Sequence, residues 1–101
     1  MSYKYALMFL PTALKEWKKL DRAIQKQMKK KLLERLKYPH VEGSRLRGFK
    51  NHYKIKLRSS GYRLVYEVVD REVYVLVIAV GKRDKDSVYR KAGKRSSGTI
   101  S

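Results

Sequence analysis

Around residues 48–53 the spacing of apolar side chains changes from a helical to an extended repeat, and this switch leaves the chain few folds to choose from. Upstream, Ile24, Met28, Leu32 and Leu36 recur at every fourth position, and at about 3.6 residues per turn they share one face of a helix. The opposite face carries Arg22, Lys26, Lys29, Lys30 and Lys37. Downstream, Tyr53, Ile55 and Leu57 alternate with Lys54, Lys56 and Arg58, which gives a strand one apolar and one strongly basic face. Ser59-Ser60-Gly61 signals a turn, after which Tyr62, Leu64, Tyr66 and Val68 alternate with Arg63, Val65, Glu67 and Val69. Asp70-Arg71-Glu72 makes a second turn, and Val73–Val80 is apolar on both faces, as expected of a central strand covered on each side.

Before the long helix, Tyr3, Tyr5 and Leu7 alternate with Lys4, Ala6 and Met8 and predict a first strand. Pro11 sits where helices begin, with Thr12 beside it as a cap. Ala13, Leu14, Trp17 and Leu20 then form the expected buried stripe of a short helix. Asp21 is placed to cap the second helix and Pro39 to stop it, because the residue before a proline avoids helical angles. A polar link runs from Gly43 to Gly48. The resulting order is an N-terminal strand, two helices, then a three-strand antiparallel meander completing a four-stranded sheet. This is an α+β domain with helices on one face of a mainly antiparallel sheet. Residues 1–90 are expected as a single domain, and 91–101, reading KAGKRSSGTIS without periodicity, as a flexible basic tail.

Charge narrows the function. The 101 residues hold 26 Lys and Arg against 9 Asp and Glu, a formal +17. A domain that basic repels itself unless a polyanion neutralises it, so nucleic acid is the leading partner and a merely solvated basic surface the alternative. No stretch approaches the roughly 20 apolar residues of a membrane span, and the opening MSYKYALMFLP has no signal-peptide pattern, so no membrane role is expected. The sequence holds no cysteine, which removes disulfides, thiol catalysis and cysteine zinc sites and fits a cytoplasmic location.

The chemistry-bearing motifs are also limited. Phosphate-loop, GxGxxG and HExxH patterns are missing from the sequence. His40 and His52 lack ligand spacing and read as solvated turn or strand-end residues. Two-metal phosphodiesterases need clustered carboxylates. The nearest pair here, Asp84 and Asp86, reads better as a helix cap near Ser87. No cofactor or metal is expected. What remains is basic: Lys54 and Lys56 point to one face of a strand, and the 59–61 turn folds Arg63 back toward them. By themselves these residues fit a solvated basic face as well as an anion site.

The run YKIKLRSSGYRLVYEVVD at 53–70 and VGKRDKDSVY at 80–89 resembles the RelE toxins of bacterial type II toxin–antitoxin pairs, within the RelE/ParE superfamily. LKEWKKL at 14–20, KKKLLE at 29–34 and LRG at 46–48 match as well, so the resemblance covers roughly residues 3–90. It implies the RelE-like microbial ribonuclease fold and an active site of cations and a tyrosine on a concave sheet face. The matching positions are Lys54, Lys56, Arg63, Arg83 and Tyr89, with Arg47 as a further RNA contact. Gly93 and the Ser-Ser-Gly tail depart from the family's more helix-like C-terminus.

The resemblance further implies a metal-independent mRNA endonuclease acting in the ribosomal A site, with ribosomal RNA as docking partner and a RelB-like antitoxin as cognate inhibitor. RNA carries its own nucleophile, the 2′-hydroxyl, so such a site needs alignment, a base, a charge clamp and a leaving-group donor. The resemblance favours Lys56 as base. A lysine normally deprotonates near pH ~10.4, and neighbouring positive charge lowers that value. Lys54 and Arg63 would clamp the pentavalent phosphate, Arg83 would stabilise the leaving oxygen, and Tyr89 would stack on a base or steer the nucleophile. Packing of the domain end is the plain alternative for Tyr89, and core packing is the expectation for Tyr53, Tyr62 and Tyr66. Alternatives for the whole chain are a same-fold toxin acting on gyrase and a non-catalytic RNA-binding module.

Overall fold

Phe9 closes the first strand and Pro11, at the first helical position, opens the first helix. The computed structural model describes residues 3–82 and 87–95, the side chains of Ser87 and Val88 excepted. In chain order the elements are β1 (Ala6–Phe9), α1 (Pro11–Lys18), α2 (Arg22–Lys37), a 3-10 turn at Glu42–Ser44, β2 (His52–Lys56), β3 (Tyr62–Val69), β4 (Tyr74–Lys82) and α3 (Ser87–Arg95). The sheet order is β1-β4-β3-β2. The pairs β2–β3 and β3–β4 are antiparallel, and β1 lies parallel to β4 with Met8 opposite Leu76. Because β1 and β2 occupy opposite edges, the α1–α2 connection crosses the sheet, and it covers one face.

That face is the main core. Met28, Leu32 and Leu36 of α2 and Ala13 of α1 are buried with Tyr53, Ile55, Leu64, Tyr66, Val68, Val75, Val77 and Val80. Burying each large aliphatic side chain contributes about 1.5–3 kcal/mol. The other face holds a smaller cluster of Leu46, Val65, Ile78, Ala79 and Ala92, with Phe49 and Tyr89 packed against it. The register explains its shape. Val65 faces Ala79 while Tyr66 faces Val77, so Ile78 is an extra residue in β4. This bulge turns Ile78 and Ala79 toward the same side.

Several local expectations shift. Pairing of β1 starts at Ala6, since the amide of Tyr5 donates instead to the Leu36 carbonyl (3.1 Å) and that of Ala6 to Val73 (3.1 Å). Neither Thr12 nor the Asp21 side chain caps a helix; Leu10 and Asp21 occupy the cap positions without side-chain bonds. Leu14 stays 36% exposed, because the α1 contact surface runs through Ala13, Trp17 and Leu20. β4 begins at Tyr74, after Val73 has turned the chain with a φ of +56°, a conformation costly for a β-branched residue. Residues 91–95, expected within an irregular tail, belong to α3. Gly93 fits there because a Cβ would stand 3.3 Å from the Phe49 ring. His40 is exposed as expected, but His52 is a buried strand-end residue, covered in the contact between β2 and the 45–50 loop.

Candidate RNA-cleavage site

Strand alternation builds the site. Tyr53 and Ile55 enter the main core, so Lys54 and Lys56 are directed to the opposite face. Antiparallel pairing then sets Lys56 directly across from Arg63, and Lys54 across from Val65. Above them lies α3. Its Tyr89 hydroxyl accepts a hydrogen bond from Arg63 Nη1 at 2.7 Å. The Tyr89 ring centroid lies 6.0 Å from Lys54 Nζ and 5.9 Å from Arg63 Cζ, within reach of cation–π attraction. The fold therefore gathers Lys54, Arg63 and Tyr89, with Lys56 adjoining them and exposed to solvent. Arg47 is exposed on a neighbouring loop, lining an open depression of about 410 Å³ with Glu42, Arg45 and Phe49. Arg83, Asp84 and Asp86 lie outside the described residues.

The strand that carries both lysines is braced from behind. β2 is an edge strand, and its outward carbonyls would otherwise be free to pair with another chain. Lys31 Nζ donates to the Lys56 carbonyl (3.3 Å) and Arg35 Nη1 to that of Lys54 (3.3 Å). Lys31 and Arg35 are four apart on α2, hence on one helix face. Arg35 also donates to the Tyr66 hydroxyl (2.9 Å), which itself donates to the Pro39 carbonyl (2.7 Å). Burial raises the Tyr66 pKa and the nearby Arg35 opposes that rise without cancelling it, so the phenol stays a neutral donor. These braces were not foreseen, since no local pattern pairs Lys31 or Arg35 with a strand carbonyl.

His52 lies two residues from Lys54 but is built into the protein. Its Nδ1 donates to the Lys50 carbonyl (2.7 Å), which assigns the proton to that nitrogen. The ring lies 5.3 Å from Phe49. At the far end of the sheet, Asp70 accepts from the Tyr5 hydroxyl (2.8 Å) and from His40 Nε2 (3.1 Å). The Tyr5 bond, then His40, holds the Asp70 carboxyl below its ordinary range against the opposing effect of burial. Both histidines thus have structural partners. Among the described residues no group of three or more His, Cys, Asp or Glu is placed to hold a metal ion.

A basic, tyrosine-lidded sheet face between β2, β3 and a short helix defines the class. Residues 7–87 match the family described as the ParE toxin of type II toxin-antitoxin system, parDE. The mRNA interferase toxin RelE of Escherichia coli strain K12 is 56% identical over 91 residues, covering 90% of this chain and 96% of the relative. A double arginine-to-alanine variant of E. coli RelE in the free state superposes with a TM-score of 0.85 at 53% identity, over 95% of this chain and 99% of that one. RelE in the intact E. coli RelBE toxin–antitoxin complex matches with a TM-score of 0.78 at 56% identity, over 79% of this chain and 98% of the other. The chain belongs to the RelE/ParE superfamily of type II toxins, as a RelE-type member.

Proposed function

We propose that this protein is the toxin of a type II pair, an endoribonuclease that cuts messenger RNA in the ribosomal A site without a metal ion. The observation that carries this reading is the meeting of Lys54, Arg63 and Tyr89, with Lys56 directly across from Arg63. Such a set holds a phosphate and the nucleotide beside it. Arg63 uses one N–H on Tyr89, and its remaining donors are available to two phosphate oxygens. Lys54 adds positive charge where the pentavalent phosphate gathers negative charge. Lys56 takes the proton of the 2′-hydroxyl, Arg83 stabilises the departing 5′-oxygen, and Tyr89 stacks on the splayed base or steers the nucleophile. Arg47 contacts RNA from the neighbouring loop.

Ribosome dependence is part of the reading. A site of cations and a tyrosine is poor at general acid–base work, so an ordered message supplied by the ribosome fits it better than free RNA. The net charge of +17 favours docking against ribosomal RNA, although charge alone cannot specify it. The cognate partner is a RelB-like antitoxin whose acidic or neutral segment covers the basic face. The E. coli RelBE complex supports this. The setting is the cytoplasm; no helix among the described residues is long and apolar enough to cross a membrane. A gyrase-directed toxin of the same fold has no use for a set that holds a phosphate and its nucleotide, and a non-catalytic RNA-binding module would use the set without cutting the message.

Brief induction followed by mapping of message 5′ ends tests the reading. New ends should fall at a fixed position within codons of translated messages, and untranslated regions should be spared. Ends scattered without regard to frame would point to an ordinary basic ribonuclease.

A further inference from the structure

The place of Tyr89 depends on α3, whose apolar anchors on the sheet, apart from Tyr89 itself, are small side chains. The helix has nine residues, too few to be stable alone. Ala92 is fully buried in the cluster with Leu46, Val65, Ile78 and Ala79, and Gly93 lies against the Phe49 ring. These small contacts set the distance of the helix from the sheet. They resist sliding or rolling of the helix much less.

The second anchor is polar and comes from α1. Glu16 Oε2 accepts from Lys91 Nζ (2.9 Å) and Arg95 Nη2 (3.1 Å), while Oε1 accepts from Arg95 Nη1 (3.0 Å) and the Val80 amide (3.0 Å). Arg95 Nη1 also donates to the Ile78 carbonyl (3.2 Å). One carboxylate thus joins α1, β4 and two successive turns of α3, at the part of β4 that runs on past the end of β1 at Phe9 opposite Val77. Lys91 and Arg95 are four apart, on one face of α3. The glutamate side chain is 19% exposed, so the pairing is shielded from water on much of its surface. In a chain with 9 acidic residues against 26 basic ones, a carboxylate aimed at the helix that carries Tyr89 is a specific arrangement.

We propose that Glu16 is a positioning residue of the cleavage site: through Lys91 and Arg95 it fixes α3 along its axis, and so fixes Tyr89 over Lys54 and Arg63. The proposal rests on reading that site as the cleavage centre. α3 behaves as a short rigid rod. A shift at its last turns is carried to Tyr89, and a displacement of about 1 Å at a reacting group can cost on the order of a hundredfold in rate.

The test uses the full chain with Glu16→Gln and Glu16→Ala, measured in two ways. In solution NMR, through-space contacts of the Tyr89 ring with the Lys54 and Arg63 side chains should be present in the parent and lost in Glu16→Ala. Those between the stacked Tyr53 and Tyr66 rings (5.7 Å apart) should persist as the internal control for folding. On programmed ribosomes, Glu16→Ala should lower kcat about tenfold to a hundredfold with little change in KM. In a Tyr89→Ala background the same substitution should cost less than about twofold more, because the two act through one contact. Glu16→Gln keeps the volume and an oxygen for the Val80 amide. It should show the same loss in smaller measure, and it decides the matter alone if the alanine variant loses the Tyr53–Tyr66 contacts. Unchanged Tyr89 contacts would overturn the proposal, as would a full-sized loss persisting in the Tyr89→Ala background. If the parent cuts no message, the cleavage reading fails while the NMR arm still decides whether Glu16 positions Tyr89.

Discussion

In the proposed reaction Lys54 serves charge and Lys56 the proton transfer, and the difference between them starts with exposure. Lys54 is half-buried beside Tyr89, whereas Lys56 is exposed across from Arg63. Removing an exposed side chain costs little stability, so Lys56→Ala isolates chemistry from folding. If Lys56 is the base, cleavage of translated message should fall by about a hundredfold or more, with the thermal midpoint unchanged. Arg71→Ala removes the same charge from the exposed β3–β4 turn and should cut like the parent; equal cutting by both variants would sink the assignment. The positions of Lys54, Lys56 and Arg63 were legible because alternation along a strand and a turn signal are local. The burial of His52 was not, since its cover arrives from a loop that the strand pattern says nothing about. Glu16, Lys31 and Arg35 were missed for a related reason. Their partners stand 79, 25 and 19 residues away in the chain, and no local pattern ties a helix charge to a residue that far off.

Among the elements, α3 is one that depends on tertiary contacts and that its own sequence does not announce. Its sequence, SVYRKAGKR, carries a mid-helix glycine and too few apolar residues for a periodic signal, so 91–95 read as tail. α2 was legible because four apolar residues repeat over several turns. The dependence of α3 on Glu16 gives it a distinct response to acid. Burial alone would raise the Glu16 pKa, but hydrogen bonds from Arg95, Val80 and Lys91 outweigh burial and hold it below the ordinary carboxylate range. A carboxyl depressed in the folded state stabilises that state fully above its unfolded value of about 4.3, and this stabilisation is lost as pH falls through the folded value. Below about pH 4, then, amide protection in residues 91–95 should fall while that of β3 persists, with exchange corrected for its intrinsic pH dependence. Loss of protection in α3 and β3 at one and the same pH would mean that Glu16 holds the whole domain and not the helix. Asp70 is depressed with the same sign, but it ties the β3–β4 turn to Tyr5 and His40, apart from α3.

For the whole molecule, the order of elements was enough to give an α+β fold with a four-stranded sheet. The partner of β1 was not legible. Its parallel pairing with β4 joins segments more than sixty residues apart, and no local pattern records which edge a first strand will take. Charge, by contrast, is a global quantity read directly from the sequence. At +17 the molecule suits a polyanion, and the fold concentrates part of that charge at one tyrosine-lidded place instead of spreading it evenly. As proposed, Lys54, Lys56, Arg63 and Tyr89 would supply a phosphate clamp and a base and leave the nucleophile to the substrate. On that proposal the 2′-hydroxyl beside the scissile phosphate would fill the role. Cleavage should therefore leave a 2′,3′-cyclic phosphate, or its hydrolysed 3′-phosphate, on one fragment and a 5′-hydroxyl on the other. A single 2′-deoxy or 2′-O-methyl nucleotide immediately 5′ of that phosphate should stop cutting there, while binding through neighbouring phosphates survives. Chelation is a confounded alternative, because ribosomes need magnesium; the modified nucleotide changes the nucleophile and leaves the ribosome intact. Efficient cutting at the deoxy position, or a 5′-phosphate on the product, would mean that water or a protein group attacks the phosphorus. Lys56 would then have no 2′-hydroxyl proton to take, and the basic face would be a binding surface whose reaction is carried out by other groups.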